Sequence, residues 1–243
     1  MISVRGVSYS FGKKPVLRDI DLEVAPHEIV AIMGSSGGGK TTLLRCIAGL
    51  LRLQTGEIEV DGINVRDRPE EARRRMGMVF QSGAPFDYLN VADNVLFGVR
   101  RHLKLSPKAQ SELLAKELAT VGLEGTEKMM PSELSGGMRK RLGIARALAL
   151  SPAAMLYDEP TTGLDPITTY TIDALLVRLR GELGVTTLVV SHDVSSVFRV
   201  ADRIAFLHEG EMTFVGTPEE FQKSRDAAIA EMVDKAQATT FQG

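Results

Sequence analysis

Residues 2–24 alternate apolar and polar positions with a period of two. The apolar positions form two series separated by turn residues, namely Ile2, Val4, Val7 and Tyr9, followed by Leu17, Ile20, Leu22 and Val24. A further short alternation, Glu57–Val60, runs into the turn dipeptide Asp61-Gly62. A period of two with Gly and Asp-Gly at the turns predicts an N-terminal antiparallel sheet.

In two later regions, short apolar runs alternate along the chain with segments of helical periodicity. Ile29–Met33 is uninterrupted and ends at glycine, and residues 41–50 then follow helical spacing up to Gly49. After residue 150 the predicted elements are strands Ala154–Tyr157, Thr186–Val190 and Arg203–Leu207, with helices from Pro166 and Asp193. Fully apolar strands between helices are typical of a buried parallel sheet.

The region from about Val91 to Ala149 has helical periodicity throughout. Ser106-Pro107 begins one of its helices with proline at the first position, and Gly122 ends it. A capping box of Thr217 and Glu220 begins a later helix.

The C-terminal tail carries one apolar stripe. Ile229, Met232 and Val233 share a helix face, and Phe241 lies beyond them. Two interpretations remain open for this stripe: it packs on its own core, or it contacts a second subunit.

A phosphate-binding loop follows the strand Ile29–Met33. Residues 34–41 read Gly34-Ser35-Ser36-Gly37-Gly38-Gly39-Lys40-Thr41, the P-loop pattern, and Thr42 continues into the predicted helix. Glycines let successive N–H groups point at phosphate oxygens, and the helix N-terminus adds its dipole. We expect Lys40 to reach the β- and γ-phosphates of ATP and Thr41 to bind Mg²⁺.

Two acids end the apolar strand that begins at Ala154. If this strand points at the phosphates, Asp158 lies beside Mg²⁺ and Glu159 lies near the attacking water. The sequence therefore predicts an α/β protein with a P-loop NTPase core and a mostly parallel sheet. An N-terminal antiparallel β subdomain and an inserted α-helical subdomain complete it. The expected division is residues 1–84 and 150–216 for the core, 85–149 for the helical subdomain and 217–243 for the tail.

Net charge and composition narrow the class of protein. A net charge of −2 over 243 residues gives no support to nucleic-acid binding. The single cysteine, Cys46, lies in an apolar stretch and is expected to pack in the core of a protein from a reducing compartment. No apolar run approaches the roughly 18 residues that span a bilayer. We expect a soluble subunit that reaches a membrane through a partner.

Further motifs occur in a fixed order around the P-loop. They are Phe11 before Gly12, Gln81 after residues 78–80, Leu134-Ser135-Gly136-Gly137-Met138, Gly163-Leu164-Asp165, and His192 after Val190-Ser191. With residues 34–41 and Asp158-Glu159, this set resembles the ATP-binding subunits of ABC (ATP-binding cassette) transporters over nearly the whole chain.

The resemblance implies a role for each motif. Phe11 would stack on adenine, Gln81 would contact Mg²⁺ or water and sense the membrane subunit, Asp165 would belong to the D-loop, and His192 would reach the γ-phosphate. Core packing is an alternative for Phe11, and an N-cap before Pro166 is a compatible alternative for Asp165.

Residues 134–138, the signature motif, predict a second anion-binding helix N-terminus. The resemblance implies a head-to-tail homodimer, in which Ser135, Gly136 and Gly137 of one subunit contact ATP held by the other. Closure of two such subunits on ATP would drive integral membrane permease subunits at the cytoplasmic face of the inner membrane.

A narrower resemblance connects the chain to the ATPases of Mce-type phospholipid transporters, which include the maintenance-of-lipid-asymmetry system. It rests on the segments 80–84, 90–95, 130–133 and 165–168, and on Met138, where most ABC signatures carry glutamine. It implies lipid transport with an Mce-domain substrate-binding protein. The alternative is an importer ATPase for amino acids or another small solute. An ABC ATPase acting on ribosomes or DNA is disfavoured, because the chain has one cassette and no heptad run.

Overall fold

The computed structural model describes the backbone of residues 1–240 and the side chains of residues 1–236. Phe241, named above in the apolar tail, lies outside the described residues. Among the described residues, no helix combines the length and the apolar character needed to cross a bilayer.

The described strands form two sheets. They are β1 (Ile2–Phe11), β2 (Lys14–Val24), β3 (Ile29–Met33), β4 (Glu57–Val60), β5 (Ile63–Asn64), β6 (Met76–Val79), β7 (Ala154–Asp158), β8 (Thr186–Val190), β9 (Arg203–His208) and β10 (Glu211–Gly216). An antiparallel sheet has the order β2-β1-β4-β5, and a six-stranded sheet has the order β10-β9-β3-β8-β7-β6. In the second sheet all neighbours are parallel except β10, which pairs antiparallel with β9.

Helices connect and cover the strands. They are α1 (Lys40–Ile47), α2 (Pro69–Arg74), α3 (Val91–His102), α4 (Pro107–Val121), α5 (Gly136–Leu148), α6 (Pro166–Leu183), α7 (Val194–Val200), α8 (Pro218–Gln222) and α9 (Ala227–Thr240). Between β6 and β7 the chain is helical, with α3, α4 and α5 packed on one another. The predicted fold class, a mostly parallel α/β core with an antiparallel N-terminal sheet and a helical insert, is confirmed.

Apolar packing joins these layers. The buried faces of β1, β2 and β4 share one cluster with α1, while the helices between β6 and β7 share another with α6. Cys46 is fully buried in the first cluster, as the sequence predicted, and burial raises the pKa of its thiol to about 12. The helix boundaries at Ser106 and Gly122 and the capping box at Thr217 are also confirmed.

The apolar stripe of the tail packs against the chain's own core. Ile229 is fully buried and Val233 is 6% exposed, and both join a cluster with Phe206 and Phe221. This stripe lies on α9, where Asp226 accepts hydrogen bonds from the N–H groups of Ala228 and Ile229 at the start of the helix. Burial on its own core satisfies the stripe within one subunit.

Two elements were not expected from the sequence. The edge strand β10 alternates exposed and half-buried positions, and α2 is a helix of only six residues. Such short elements carry too little periodicity to be predicted, and pairing with β9 is what orders β10.

Candidate functional site

Four parallel strands end at one edge of the central sheet. β3 lies between β9 and β8, and β7 and β6 continue the sheet on the β8 side. Carboxyl ends of parallel strands meet at the same edge, where ligands bind in open α/β sheets. The segments that leave these ends are residues 34–41 after β3, Gln81 after β6, Glu159 after β7 and His192 after β8. The sheet order therefore gathers candidates that are far apart in the sequence.

The P-loop backbone depends on glycine at two positions. Gly34 has φ of +145°, and a Cβ there would lie 2.0 Å from the Leu207 carbonyl oxygen. Gly39 has φ of +100°, and its Cβ would lie 2.9 Å from the Val16 carbonyl oxygen. Gly39 is also the N-cap of α1 and supplies no side-chain cap, so the first N–H groups of α1 remain available for a phosphate.

Lys40 lies inside this loop. Its Nζ donates to the carbonyl oxygens of Gly34 and Ser35, both at 2.8 Å, and its side chain is buried. Burial lowers the pKa of Lys40, and the nearby carboxylates of Glu159 and Asp158 oppose this effect. The ammonium group therefore stands at the centre of the loop, where an anionic ligand would compensate its desolvation.

Thr41 and Asp158 bring two oxygen donors together. The Thr41 hydroxyl donates to Asp158 Oδ1 at 2.9 Å. Burial raises the pKa of Asp158, and the Thr41 hydrogen bond and the charges of Arg45 and Lys40 act in the opposite direction. A hydroxyl and a carboxylate suit Mg²⁺, which takes few protein ligands and completes its shell with phosphates and water. The described residues contain no cluster of three or more His, Cys, Asp or Glu side chains that would bind a metal alone.

Glu159 is held in an unusual backbone conformation next to a histidine. Its φ is +52°, a left-handed value that costs energy for a residue with a Cβ. Its N–H donates to the Val190 carbonyl oxygen at 2.9 Å. One carboxylate oxygen lies 2.7 Å from His192 Nδ1 and accepts from the Thr162 hydroxyl at 3.0 Å. A carboxylate oriented in this way can position and polarise a water molecule.

Lys140 was not found by sequence reasoning, yet it hydrogen-bonds the backbone of two candidate residues. It is 5% exposed, and its Nζ donates to the carbonyl oxygens of Gln81 and, at 3.3 Å, Glu159. Burial lowers its pKa, and the charge of Glu159 opposes this effect. A signal was present, because Lys140 shares a helix face with the buried Gly137 and Ile144.

The signature motif begins α5 away from the P-loop contacts. Ser135 is the N-cap of α5 and accepts from the Met138 N–H at 3.2 Å. A Cβ on Gly137 would lie 2.5 Å from Thr168 Cγ2, so this helix end packs closely on α6. No hydrogen bond among the described residues joins Ser135 to residues 34–41.

Asp165 and Phe11 flank the site. Asp165 caps α6 by accepting from the N–H groups of Ile167 and Thr168 and from the Thr168 hydroxyl, and the hydroxyl bond is the main cause of its lowered pKa. Phe11 is 53% exposed and meets Tyr9 edge-on. Its ring is therefore available to a ligand and is not part of the core.

Fold and site together define a P-loop nucleotide-binding domain with a carboxylate–histidine pair at the phosphate end. The family model described as ABC transporter matches residues 17–162. The chain belongs to the ABC transporter family and is an ATP-binding, ATP-hydrolysing subunit of such a transporter.

Individual relatives cover most of the chain. The intermembrane phospholipid transport system ATP-binding protein MlaF of Escherichia coli is 42% identical over 96% of this chain and 88% of its own length. The glutamine transport ATP-binding protein GlnQ of Escherichia coli is 42% identical over 90% of this chain and 92% of its own. A dimeric ATP-binding cassette in a post-hydrolysis state, bound to ADP and Pi, superposes with a TM-score of 0.81 at 32% identity and covers 90% of this chain and 99% of that one.

Proposed function

We propose that this ATPase works as a homodimer at the cytoplasmic face of the inner membrane and drives phospholipid transport through separate permease subunits. The observation that carries the lipid assignment is the 42% identity to MlaF along nearly the whole chain, together with Met138 in the signature. Because GlnQ is equally identical over 90% of the chain, amino-acid import is the second candidate.

In the proposed site, the chain's own groups bind and orient ATP. Residues Gly34–Thr42 surround the triphosphate, Lys40 contacts its β- and γ-phosphates, and Phe11 stacks on adenine. Thr41, Asp158 and the side chain of Gln81 would hold Mg²⁺, which supplies charge neutralisation on the phosphates when bound. Glu159 orients the attacking water, and His192 holds the carboxylate and stabilises the transferred phosphoryl charge.

Two subunits are needed to complete this site. Ser135, Gly136 and Gly137 form a helix N-terminus that makes no hydrogen bond to the P-loop of the same chain. A solved relative of this fold is a dimer. In the proposed head-to-tail arrangement, these residues and Asp165 of one subunit face the γ-phosphate bound by the other, so that closure of the dimer excludes water and permits hydrolysis.

A cluster of aromatic side chains next to Gln81 supports docking of a permease. Tyr88 is 73% exposed and Phe97 is 42% exposed, and both contact Phe86, whose ring also lies 5.3 Å from the Arg146 guanidinium carbon. The mixture of apolar residues and turn formers in residues 82–95 predicts exposed Phe86 and Leu89, whereas both are half-buried. Tyr88 is the side chain that this surface presents to a partner.

The loop under this cluster is held by hydrogen bonds to one buried side chain. The buried Asn94 accepts from the Phe86 N–H at 2.8 Å and donates to the carbonyl oxygens of Phe86 at 3.1 Å and Leu89 at 2.9 Å. A preformed apolar surface loses little entropy on binding, which favours its use as a docking site.

We expect Tyr88→Asp to abolish capture of the permease without changing the melting temperature. Exposed substitutions alter stability by about 0.5 kcal/mol or less, while a charge in an apolar interface is costly. Pull-down of the membrane subunit by the tagged full chain measures the effect, with Leu50→Asp as a control at an exposed apolar side chain elsewhere on the chain. Phe86→Asp should instead lower the melting temperature, because it breaks the contacts with Phe97 and Arg146. Normal capture by Tyr88→Asp would contradict this docking surface.

The substrate assignment predicts that phospholipid accompanies the intact complex. The tagged chain is purified in detergent with its membrane subunits, and bound lipid is quantified by mass spectrometry against the Tyr88→Asp preparation as background. We expect phospholipid enrichment and ATP hydrolysis that glutamine does not stimulate. A complex without lipid enrichment whose ATPase activity rises with an amino acid would replace phospholipid transport by amino-acid import.

A further inference from the structure

The segment after β6 is attached to α5 by basic side chains. Arg146 donates to the carbonyl oxygens of Ala84 at 2.7 Å and Gly83 at 3.3 Å, and Lys140 donates to that of Gln81. A Cβ on Gly83 would lie 2.6 Å from the Arg139 carbonyl oxygen, so this backbone lies directly on the helix. Residues 81–84 and α5 therefore form one unit, defined here as the Q-loop unit.

Lys140 connects this unit to the peptide of Glu159. Its buried ammonium reaches the Glu159 carbonyl oxygen at 3.3 Å in addition to the Gln81 carbonyl oxygen. In the part of the chain that the structure describes, it is the side chain that hydrogen-bonds α5 to Glu159. The link crosses from the helical region between β6 and β7 to the end of β7.

The Glu159 backbone is held at both of its polar groups. Its N–H donates to the Val190 carbonyl oxygen, and its carbonyl oxygen accepts from Lys140 Nζ at 3.3 Å and from the Thr162 N–H at 3.4 Å. A residue with a Cβ keeps a φ of +52° only where its surroundings impose that conformation. Without the Lys140 ammonium, the Thr162 N–H is the hydrogen bond that remains on this carbonyl oxygen among the described residues. The weaker restraint would let the strained backbone relax and displace the carboxylate.

We propose that Lys140 is a positioning residue for ATP hydrolysis, which aligns the Glu159 carboxylate according to the position of the Q-loop unit. This inference rests on the proposed role of Glu159 as the carboxylate that orients water. A displacement of residues 81–84 by a membrane partner would reach Glu159 through the Lys140 ammonium group. The P-loop contacts of Lys40 and Thr41 are not part of this link, so binding of the nucleotide without Mg²⁺ is expected to be independent of it.

The test separates an effect on the alignment of the Glu159 carboxylate from an effect on the stability of the fold. In the full chain, Lys140→Met should lower kcat about 10- to 100-fold, since misplacing a catalytic group by about 1 Å has effects of this size. The dissociation constant of a fluorescent ATP analogue, measured without Mg²⁺, should not change. Lys140→Arg keeps a cationic donor for both carbonyl oxygens and should restore most of the kcat.

Arg141→Met is the matched control on the same helix. Arg141 also donates to two carbonyl oxygens, of Val121 at 3.2 Å and Gly122 at 2.8 Å, but these lie at the end of α4. The Arg141→Met variant should have a lower melting temperature and an unchanged kcat. If Lys140→Met kept its kcat, or if Arg141→Met lost as much, Lys140 would be an ordinary structural contact.

Glu159→Gln, measured in parallel, distinguishes a failure of the proposed role of Lys140 from a failure of the proposed role of Glu159. Loss of turnover in Glu159→Gln together with a normal kcat in Lys140→Met would overturn the role of Lys140 alone. Retained turnover in Glu159→Gln would overturn the proposed function of Glu159 and, with it, the alignment by Lys140.

Discussion

Glu159→Gln is expected to bind ATP normally and to lose nearly all hydrolysis. The amide keeps the size of the side chain and an oxygen that can accept from Thr162, but it removes the charge that polarises water. General-base catalysis contributes about 10²–10⁴-fold to rates, and we expect a loss in this range. Phosphate release at saturating ATP and fluorescent-ATP binding measure the two properties separately.

The same variant should accumulate as a dimer in the presence of ATP. In the proposed cycle hydrolysis opens the closed dimer, so blocking it should trap two subunits around nucleotide, which light scattering detects. Glu182→Gln, an exposed position on α6, is the control and should behave like the unmodified chain. Hydrolysis above about a tenth of the normal rate would be incompatible with general-base catalysis by Glu159.

Lys40→Ala is expected to weaken ATP binding itself. Truncating one partner of a buried charged contact costs about 2 kcal/mol or more, which raises the dissociation constant about 30-fold or more. The loss has two origins, because the phosphates lose a cation and the carbonyl groups of Gly34 and Ser35 lose their donor. Titration with fluorescent ATP in the presence of Mg²⁺ measures the change.

Lys104→Ala removes an exposed lysine with the same charge and serves as the control. Its ATP affinity and its melting temperature should be close to those of the unmodified chain. Equal ATP affinities of Lys40→Ala and Lys104→Ala would contradict the position of Lys40 at the phosphates.

Several elements could be predicted because their signals are local. The P-loop is contiguous, and its glycines at 34 and 39 satisfy backbone needs within a few residues. N-caps such as Ser106 and Asp165 bond to N–H groups two or three residues ahead. Strand periodicity reflects which face is buried, and this held for β1, β2 and β4 of the antiparallel sheet. The edge strand β10 was not predicted, because its strand conformation depends on pairing with β9.

The contacts between distant residues came from the order of the strands. β7 pairs with β8, which places Glu159 beside His192, 33 positions later. The antiparallel sheet and α1 form one core, and α9 packs on another, which assigned the apolar stripe of the tail to its own subunit. No local sequence pattern predicts which of these distant residues lie close together in the fold.

The sequence by itself determined the class of this protein, since an ordered set of contiguous motifs is sufficient to identify an ABC transporter ATPase. The tertiary structure decided how the motifs act on one another. It placed the ammonium group of Lys140 between the carbonyl groups of Gln81 and Glu159, and it exposed Tyr88 while half-burying Phe86. The physical reason is that a motif specifies its own backbone and chemistry, whereas strand order and helix packing decide which motifs touch.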